Sequence, residues 1–211
     1  MLKRLLIFIV LICWYNLSYS QDSSSFYITK GKGFEFHFFE NKYLLQIDFR
    51  GQFRGTYISD KFPNLGDEFD EENTNLGINR ARIKIGGHVL KPYYKFYFEQ
   101  DIRGGNLLDF RVMIEKYSFL KLKVGQWKAR FSRERVISSG KQQGLDRSLI
   151  NSVFTIDRQQ GISLYGNLNG NKAANFNYWA SVFAGTGRGG ETNDNNTLMY
   201  LLRLQWNPNG E

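Results

Sequence analysis

Basic side chains at alternating positions are the feature of this sequence whose residue type and spacing point to chemistry. Arg80, Arg82 and Lys84 are separated by single apolar residues, so an extended strand places all three on one face. A guanidinium donates two parallel hydrogen bonds to an oxyanion, and an ammonium adds a compact positive charge. The pattern predicts a face that attracts small anions and repels cations. We call the bases that share it the wall bases: Arg50, Arg54, Arg80, Arg82, Lys84, Lys121, Lys123 and Arg203.

Acidic residues on the same predicted face neutralise only part of this charge. The alternating positions carry ten bases against five acids, which leaves a surplus of five positive charges. Ion pairs that only make the face hydrophilic would explain the bases that have an acidic partner. They do not explain the five surplus positive charges. The surplus therefore supports the anion-attracting interpretation.

A second basic group lies in the long segment 129–158, which lacks the alternating pattern. A segment of this length between regular elements is usually functional. We expect it to fold inward as a constriction loop, with hydroxyl groups beside the bases; the alternative is a solvated outer loop. The candidate residues of this loop are Arg130, Arg133, Ser138, Ser139 and Arg147.

Strands are the elements that must position the wall bases. Eight segments alternate apolar and polar residues over a length that crosses a membrane when tilted. Long and short connections alternate between them, as in membrane barrels. The predicted fold is therefore all-β, a transmembrane antiparallel β-barrel. The segments are 43–57, 79–89, 93–102, 108–117, 119–128, 160–168, 176–185 and 197–206.

A soluble sandwich also alternates, so the two faces decide between the alternatives. Aromatic residues such as Tyr57, Tyr94 and Trp206 lie near the ends of the apolar faces, as in interfacial girdles. The opposite faces are charged along their whole length. Strands in lipid must satisfy their backbone groups by closing into a barrel, with the charged face inward. Both features favour the barrel.

The chain begins with a pattern typical of an exported protein. Lys3 and Arg4 precede an apolar run at 5–15, and small residues follow at Ser18 and Ser20. This arrangement predicts a signal peptide over residues 1–20. We expect a short periplasmic segment at 21–41 and the barrel wall at 42–211.

Composition and spacing argue against several other classes. The 211 residues carry a formal net charge of +8 and 16% aromatic residues, and contain no apolar run of about 18 residues for a spanning helix. His37 and His88 are too far apart to suggest a metal site, and no nucleophile–base pair is evident. We expect no cofactor, no metal and no enzymatic activity. The bases are spread over strand interiors, which argues against a nucleic-acid partner.

Three motifs resemble the phosphate-selective porin O and P family. They are the run Asn79-Arg80-Ala81-Arg82, the run Val124-Gly125-Gln126-Trp127-Lys128, and the pair Ser138-Ser139. The resemblance implies a sixteen-stranded barrel in the outer membrane of a Gram-negative bacterium, usually a homotrimer, with a third loop folded into the channel.

By the same resemblance, Arg80 and Arg82 correspond to wall arginines, and Arg130, Arg133 and Ser138-Ser139 to the constriction loop. It implies passive diffusion of phosphate or similar small anions, and contact with outer-membrane lipid and lipopolysaccharide. The eighth segment is followed by the turn Asn207-Pro208-Asn209-Gly210, so we expect the chain to be the N-terminal half of such a barrel. The alternatives are a small eight-stranded outer-membrane barrel with a structural or adhesive role, and a secreted sugar-binding sandwich.

Overall fold

The computed structural model describes most of the chain outside the predicted signal peptide. The described residues are 24–58, 73–144, 146–169, 175–188, 193 and 196–208. The predicted signal peptide at 1–20 lies outside these ranges. The predicted strands and most of segment 129–158 lie within them.

Ten antiparallel strands form one sheet in which each strand pairs with the next along the chain. This arrangement confirms the all-β prediction. The strands are β1 (Ser25–Thr29), β2 (Gly33–Phe38), β3 (Tyr43–Ile58), β4 (Asn73–Val89), β5 (Lys91–Asp101), β6 (Asn106–Ile114), β7 (Lys121–Lys128), β8 (Arg158–Asn169), β9 (Asn175–Phe183) and β10 (Met199–Trp206).

The sheet has two strands more than the eight that the sequence predicts. β1 and β2 form a hairpin from the segment expected to be a short periplasmic piece, and β2 pairs with β3. The segment is too short to look like a membrane-crossing strand, but it follows the same period of two. Glu35, for example, is buried and accepts hydrogen bonds from Thr29 and from Gln46 on β3. The polar face of the sheet therefore continues into β2.

The two faces of the sheet are inverted relative to a soluble protein. Large apolar side chains are exposed, among them Phe49 at 59%, Phe53 at 79% and Leu202 at 72%. Charged side chains such as Glu99 and Asp109 are buried on the other side. A soluble sandwich buries its apolar face and leaves charge in water. The structure therefore supports a lipid-facing wall and contradicts the sandwich.

A small apolar cluster interrupts the polar face at the start of the long segment. Trp127, Ala129, Phe183 and Leu201 are buried together, and the rings of Trp127 and Phe183 lie 5.3 Å apart. The cluster joins β7, β9 and β10 and fixes the point at which the chain leaves the sheet. A close backbone approach lies beside it, where a Cβ on Gly125 (φ +126°) would come within 2.0 Å of the Phe110 carbonyl oxygen.

Helical structure is confined to two short turns in the segment between β7 and β8. They are α1 (Arg133–Val136) and α2 (Leu149–Val153). Within the described residues, no helix is both long enough and apolar enough to cross a membrane.

Candidate functional site

The segment between β7 and β8, which we call the long loop, is held together by its own hydrogen bonds. Ser132 caps α1 by accepting from Arg135 N at 3.0 Å, and its hydroxyl donates to Asn151 Oδ1 at 3.1 Å. The Glu134 carboxylate accepts from the Ser148 backbone N–H at 2.7 Å and from its hydroxyl at 2.6 Å. These bonds hold the pKa of Glu134 below its ordinary value. The two helical turns are thereby joined into one ordered unit.

The long loop lies against the polar face of the sheet. On one side, Arg50 Nη1 donates to Ser139 Oγ at 2.9 Å, and Arg54 Nη2 lies 2.7 Å from Asp146 Oδ2. On the other side, Arg203 Nη1 on β10 donates to the Arg130 carbonyl at 3.2 Å. The loop therefore contacts β3 near one end of the sheet and β10 at the other.

A network of ion pairs fixes the return of the long loop to β8. Arg135 Nε donates to Asp157 Oδ1 at 3.0 Å. Burial alone would raise the pKa of Asp157, but the bond from Arg135 and the charges of Arg135 and Arg158 hold it below its ordinary value. Arg158 Nε in turn donates to the buried Asp109 at 2.6 Å. The end of the loop is thus tied to β6.

The wall bases on β3 and β4 have polar or acidic partners. Arg82 Nη1 lies 3.1 Å from Glu99 Oε1, and Lys84 Nζ lies 2.6 Å from Asp48 Oδ2. Arg80 Nη1 donates to Gln52 Oε1 at 2.7 Å, and Nη2 lies 4.0 Å from Asp146. These contacts neutralise much of the positive charge on this side of the face.

The wall bases on β7 and β10 lie over aromatic rings. Lys123 is only 7% exposed, and its ammonium lies 4.4 Å from the Tyr165 ring centre and 5.2 Å from that of Trp127. Lys121 lies 5.9 Å from the same Tyr165 ring. Arg203 lies 5.7 Å from the ring centre of Trp179. In the described part of the chain, no carboxylate lies within ion-pair distance of these three bases.

The residues predicted for the constriction loop do not all lie together. Arg130, Ser138 and Ser139 border a cavity between the loop and the sheet. Arg133 is exposed at the start of α1 and does not line this cavity. Arg147 donates to the Ile137 carbonyl at 3.0 Å, and burial together with the nearby charges of Arg135 and Arg80 lowers its pKa. Arg147 therefore braces the loop from within.

The cavity has a volume of about 220 Å³ and a strongly basic lining. Six basic and two acidic side chains border it, an excess of four positive charges. The bases are Arg82, Lys84, Arg111, Lys123, Lys128 and Arg130, and the acids are Glu99 and Asp109. Two side-chain donor atoms, Nε of Arg82 and Nε of Arg111, are buried and have no hydrogen-bond partner among the described residues. The cavity thus combines a basic surface with buried donors that no described protein group satisfies.

Sequence reasoning missed two kinds of residue at this site. The first kind are acids such as Asp146 and Asp157, whose pairing depends on how the loop folds and has no local sequence signal. The second kind are the aromatic residues Tyr165 and Trp179, which do have one: both occupy polar-face positions in alternating segments. Their position indicated a role other than contact with lipid.

The described residues contain no group of three or more His, Cys, Asp or Glu side chains that could hold a metal ion. The two histidines instead contact the turn between β2 and β3. His37 bonds the Asn41 side chain at 2.7 Å, and His88 bonds the Asn41 carbonyl at 2.9 Å.

Comparison with known proteins identifies a family. The family model described as phosphate-selective porin O and P matches residues 53–211, which include β4 to β10 and the long loop. No curated protein matches the chain. The family match covers most of the chain and agrees with its polar-faced antiparallel sheet. The chain therefore belongs to the phosphate-selective porin O and P family.

Proposed function

We propose that this protein is an outer-membrane channel for the passive diffusion of small anions, of phosphate type, past a basic wall and the long loop. The observation that carries the proposal is the basic cavity between the loop and the sheet. Its excess of four positive charges lies in a confined space where charge acts more strongly than in bulk water. Such a surface concentrates anions and repels cations.

The chemistry required is binding and release, with no covalent step. An anion that enters the cavity exchanges water for the ammonium of Lys123, the guanidinium of Arg130 and the hydroxyls of Ser138 and Ser139. Charge-assisted hydrogen bonds of this kind compensate for the lost hydration. Several such contacts of moderate strength let an anion leave as readily as it enters, as conduction requires. In this proposal the long loop is the constriction, and the wall bases line the path.

The remaining parts of the proposal follow from family membership and the apolar face. A signal peptide at residues 1–20 would direct export and then be removed. The exposed apolar face would contact outer-membrane lipid and lipopolysaccharide, and the assembled protein would be a homotrimer. Transport, and no catalysis, is the proposed activity.

Planar-bilayer recordings test the proposal directly. Under a gradient of potassium chloride, the reversal potential of the purified protein should show preference for chloride over potassium. Added phosphate should then lower the chloride conductance by competing for the cavity. A preference for potassium would contradict the proposal.

The eight-stranded alternative does not fit the structure. It requires the last predicted strand to pair with the first. Within the described residues, β3 pairs with β2 and β4, and β10 pairs with β9 alone.

A further inference from the structure

Acidic residues are distributed unevenly over the polar face. β3, β5 and β6 contain Asp48, Glu99, Asp101 and Asp109, whereas β7, β8, β9 and β10 contain no Asp or Glu. Most bases on the first side have a carboxylate partner, whereas Arg50 bonds the Ser139 hydroxyl. Within the described residues, Lys121, Lys123 and Arg203 on the second side have no carboxylate at ion-pair distance. Most of the unneutralised positive charge of the strands therefore lies on the half of the face formed by β7 to β10.

The register places four of the residues on this half in one row across the sheet. Lys121 on β7 pairs with Tyr165 on β8, Tyr165 with Trp179 on β9, and Trp179 with Arg203 on β10. The row therefore reads cation, aromatic, aromatic, cation. We call it the transverse row.

Bases from outside the transverse row also approach its two rings. Lys123 lies 4.4 Å from the ring centre of Tyr165, closer than Lys121 does. Arg130, from the long loop, lies 4.8 Å from the ring centre of Trp179, beside Arg203 at 5.7 Å. Each ring thus holds two cations.

An aromatic ring attracts a cation through the negative charge on its face, but it carries no net charge. A base held by a ring is therefore fixed in position while its charge stays available. A base held by a carboxylate is fixed but neutralised. The ring of Tyr165 is itself fixed, because its hydroxyl donates to Glu115 Oε1 at 2.5 Å.

We propose that Tyr165 and Trp179 are positioning residues that hold Lys121, Lys123 and Arg203 in place without neutralising them, so that permeating anions follow the β7–β10 side of the lumen. The inference rests on the proposed function. The sequence-based expectation counted all eight wall bases as lining the path and did not distinguish between its two sides.

Substitutions that remove the ring at position 165 or 179, compared with one that keeps the ring, distinguish a positioning role from a role in packing. We expect Tyr165→Leu and Trp179→Leu each to lower the chloride-to-potassium permeability ratio by about threefold, because displaced cations no longer face the path. Tyr165→Phe should retain the ratio, since the ring remains. Tyr97→Leu is the matched control: Tyr97 lies 4.4 Å below Arg111, but Arg111 is also held by Asp109 at 3.0 Å, so the ratio should hardly change.

A double-mutant cycle tests whether the Tyr165 ring affects the permeability ratio through the lysines that it holds. In a protein that already carries Lys121→Gln and Lys123→Gln, Tyr165→Leu should have no further effect on the ratio. A further drop of the same size would show that the ring acts independently of these bases, and would overturn the inference.

Folding is checked for each variant by the heat-dependent shift in gel mobility that intact barrels show. Trp179 is 8% exposed, so its leucine variant is the one most at risk of misfolding. A fluorinated tryptophan placed at position 179 keeps the shape and weakens the negative ring face; it should lower the ratio in a folded protein. An unchanged permeability ratio in both the fluorinated protein and Tyr165→Leu would overturn the inference. A drop of the ratio in Tyr97→Leu as large as that in Tyr165→Leu would overturn it as well. If the unmodified protein showed no preference for anions, that result would instead contradict the proposed function.

Discussion

At the scale of single residues, a base on the polar face is held in one of two ways. Lys84 lies 2.6 Å from the Asp48 carboxylate, whereas Lys123 lies over two aromatic rings. Ion pairs of this kind reduce the field that a passing ion meets, while contacts with rings preserve it. The effect of a residue on ion selectivity therefore depends on its partner as much as on its own charge.

Asp146 is the acid whose removal should change selectivity most clearly. It lies 2.7 Å from Arg54 and 4.0 Å from Arg80, and it is 51% exposed. We expect Asp146→Asn to raise the chloride-to-potassium permeability ratio by about twofold, because two arginines lose a competing carboxylate. Reversal potentials measure this ratio. Asp146→Glu keeps the charge and is the control; a lower ratio in Asp146→Asn would contradict the argument.

At this scale, the sequence was enough to predict on which face of the sheet a residue lies, but not which residues its side chain contacts. The period of two was enough to predict that Arg82 and Lys123 share the polar face. Whether a base meets an acid or a ring depends on the register between strands, which places Lys84 opposite Asp48. Register is a property of strand pairs, and a single alternating segment does not contain it.

At the scale of elements, the long loop was predicted as an irregular segment and is an ordered one. α1 and α2 are four and five residues long, too short to produce a helical period in the sequence. Their caps, Ser132 and Ser148, are the local signals present. The inward fold depends on contacts with β3 and β10, which only the tertiary structure brings near.

The bond between Arg135 and Asp157 should make the stability of the loop depend on pH. The pKa of Asp157 in the folded protein lies below its ordinary value. Its contribution to stability is therefore complete above the ordinary aspartate pKa of about 3.9, and is lost as the pH falls through the folded-state pKa. Asp157→Asn should lower the free energy of unfolding by about 1–3 kcal/mol at pH 7. The difference from the unmodified protein should shrink as the pH is lowered below about 4.

Urea unfolding in detergent at a series of pH values measures this difference. Arg135→Gln should cause a similar loss at pH 7. The double variant should lose less than the sum of the two single variants, because both changes break the same bond. A difference that stays constant down to pH 2 would rule out this role for Asp157.

At the scale of the whole molecule, the all-β fold class predicted from alternation is confirmed: the described residues form one ten-stranded antiparallel sheet, and the chain belongs to a porin family. The number of strands was underestimated, because β1 and β2 are shorter than membrane-crossing segments. A length sufficient to cross a membrane was the criterion for a strand, so the short hairpin of β1 and β2, which extends the same sheet, was not predicted as strands.

The inverted faces predict opposite effects of one substitution on the two sides of β3. Phe49 is exposed on the apolar face, and Phe49→Arg should cost about 2–4 kcal/mol of stability in a bilayer. Gln46 lies on the polar face beside Glu35, so Gln46→Arg should be tolerated. Urea unfolding in lipid vesicles compares the two variants. Equal losses would contradict the assignment of the faces.

The long loop has a mechanical consequence. Six strands lie between β3 and β10 in the sheet, and the loop bonds to both of these strands through Arg50, Arg54 and Arg203. A segment that is bonded to two separated strands of one sheet resists changes in the distance between them. Lateral pressure from the surrounding lipid would have to stretch or break these bonds before it could move the two strands apart. The loop that we propose as the constriction would thus also act as a strut that keeps the distance between β3 and β10 constant.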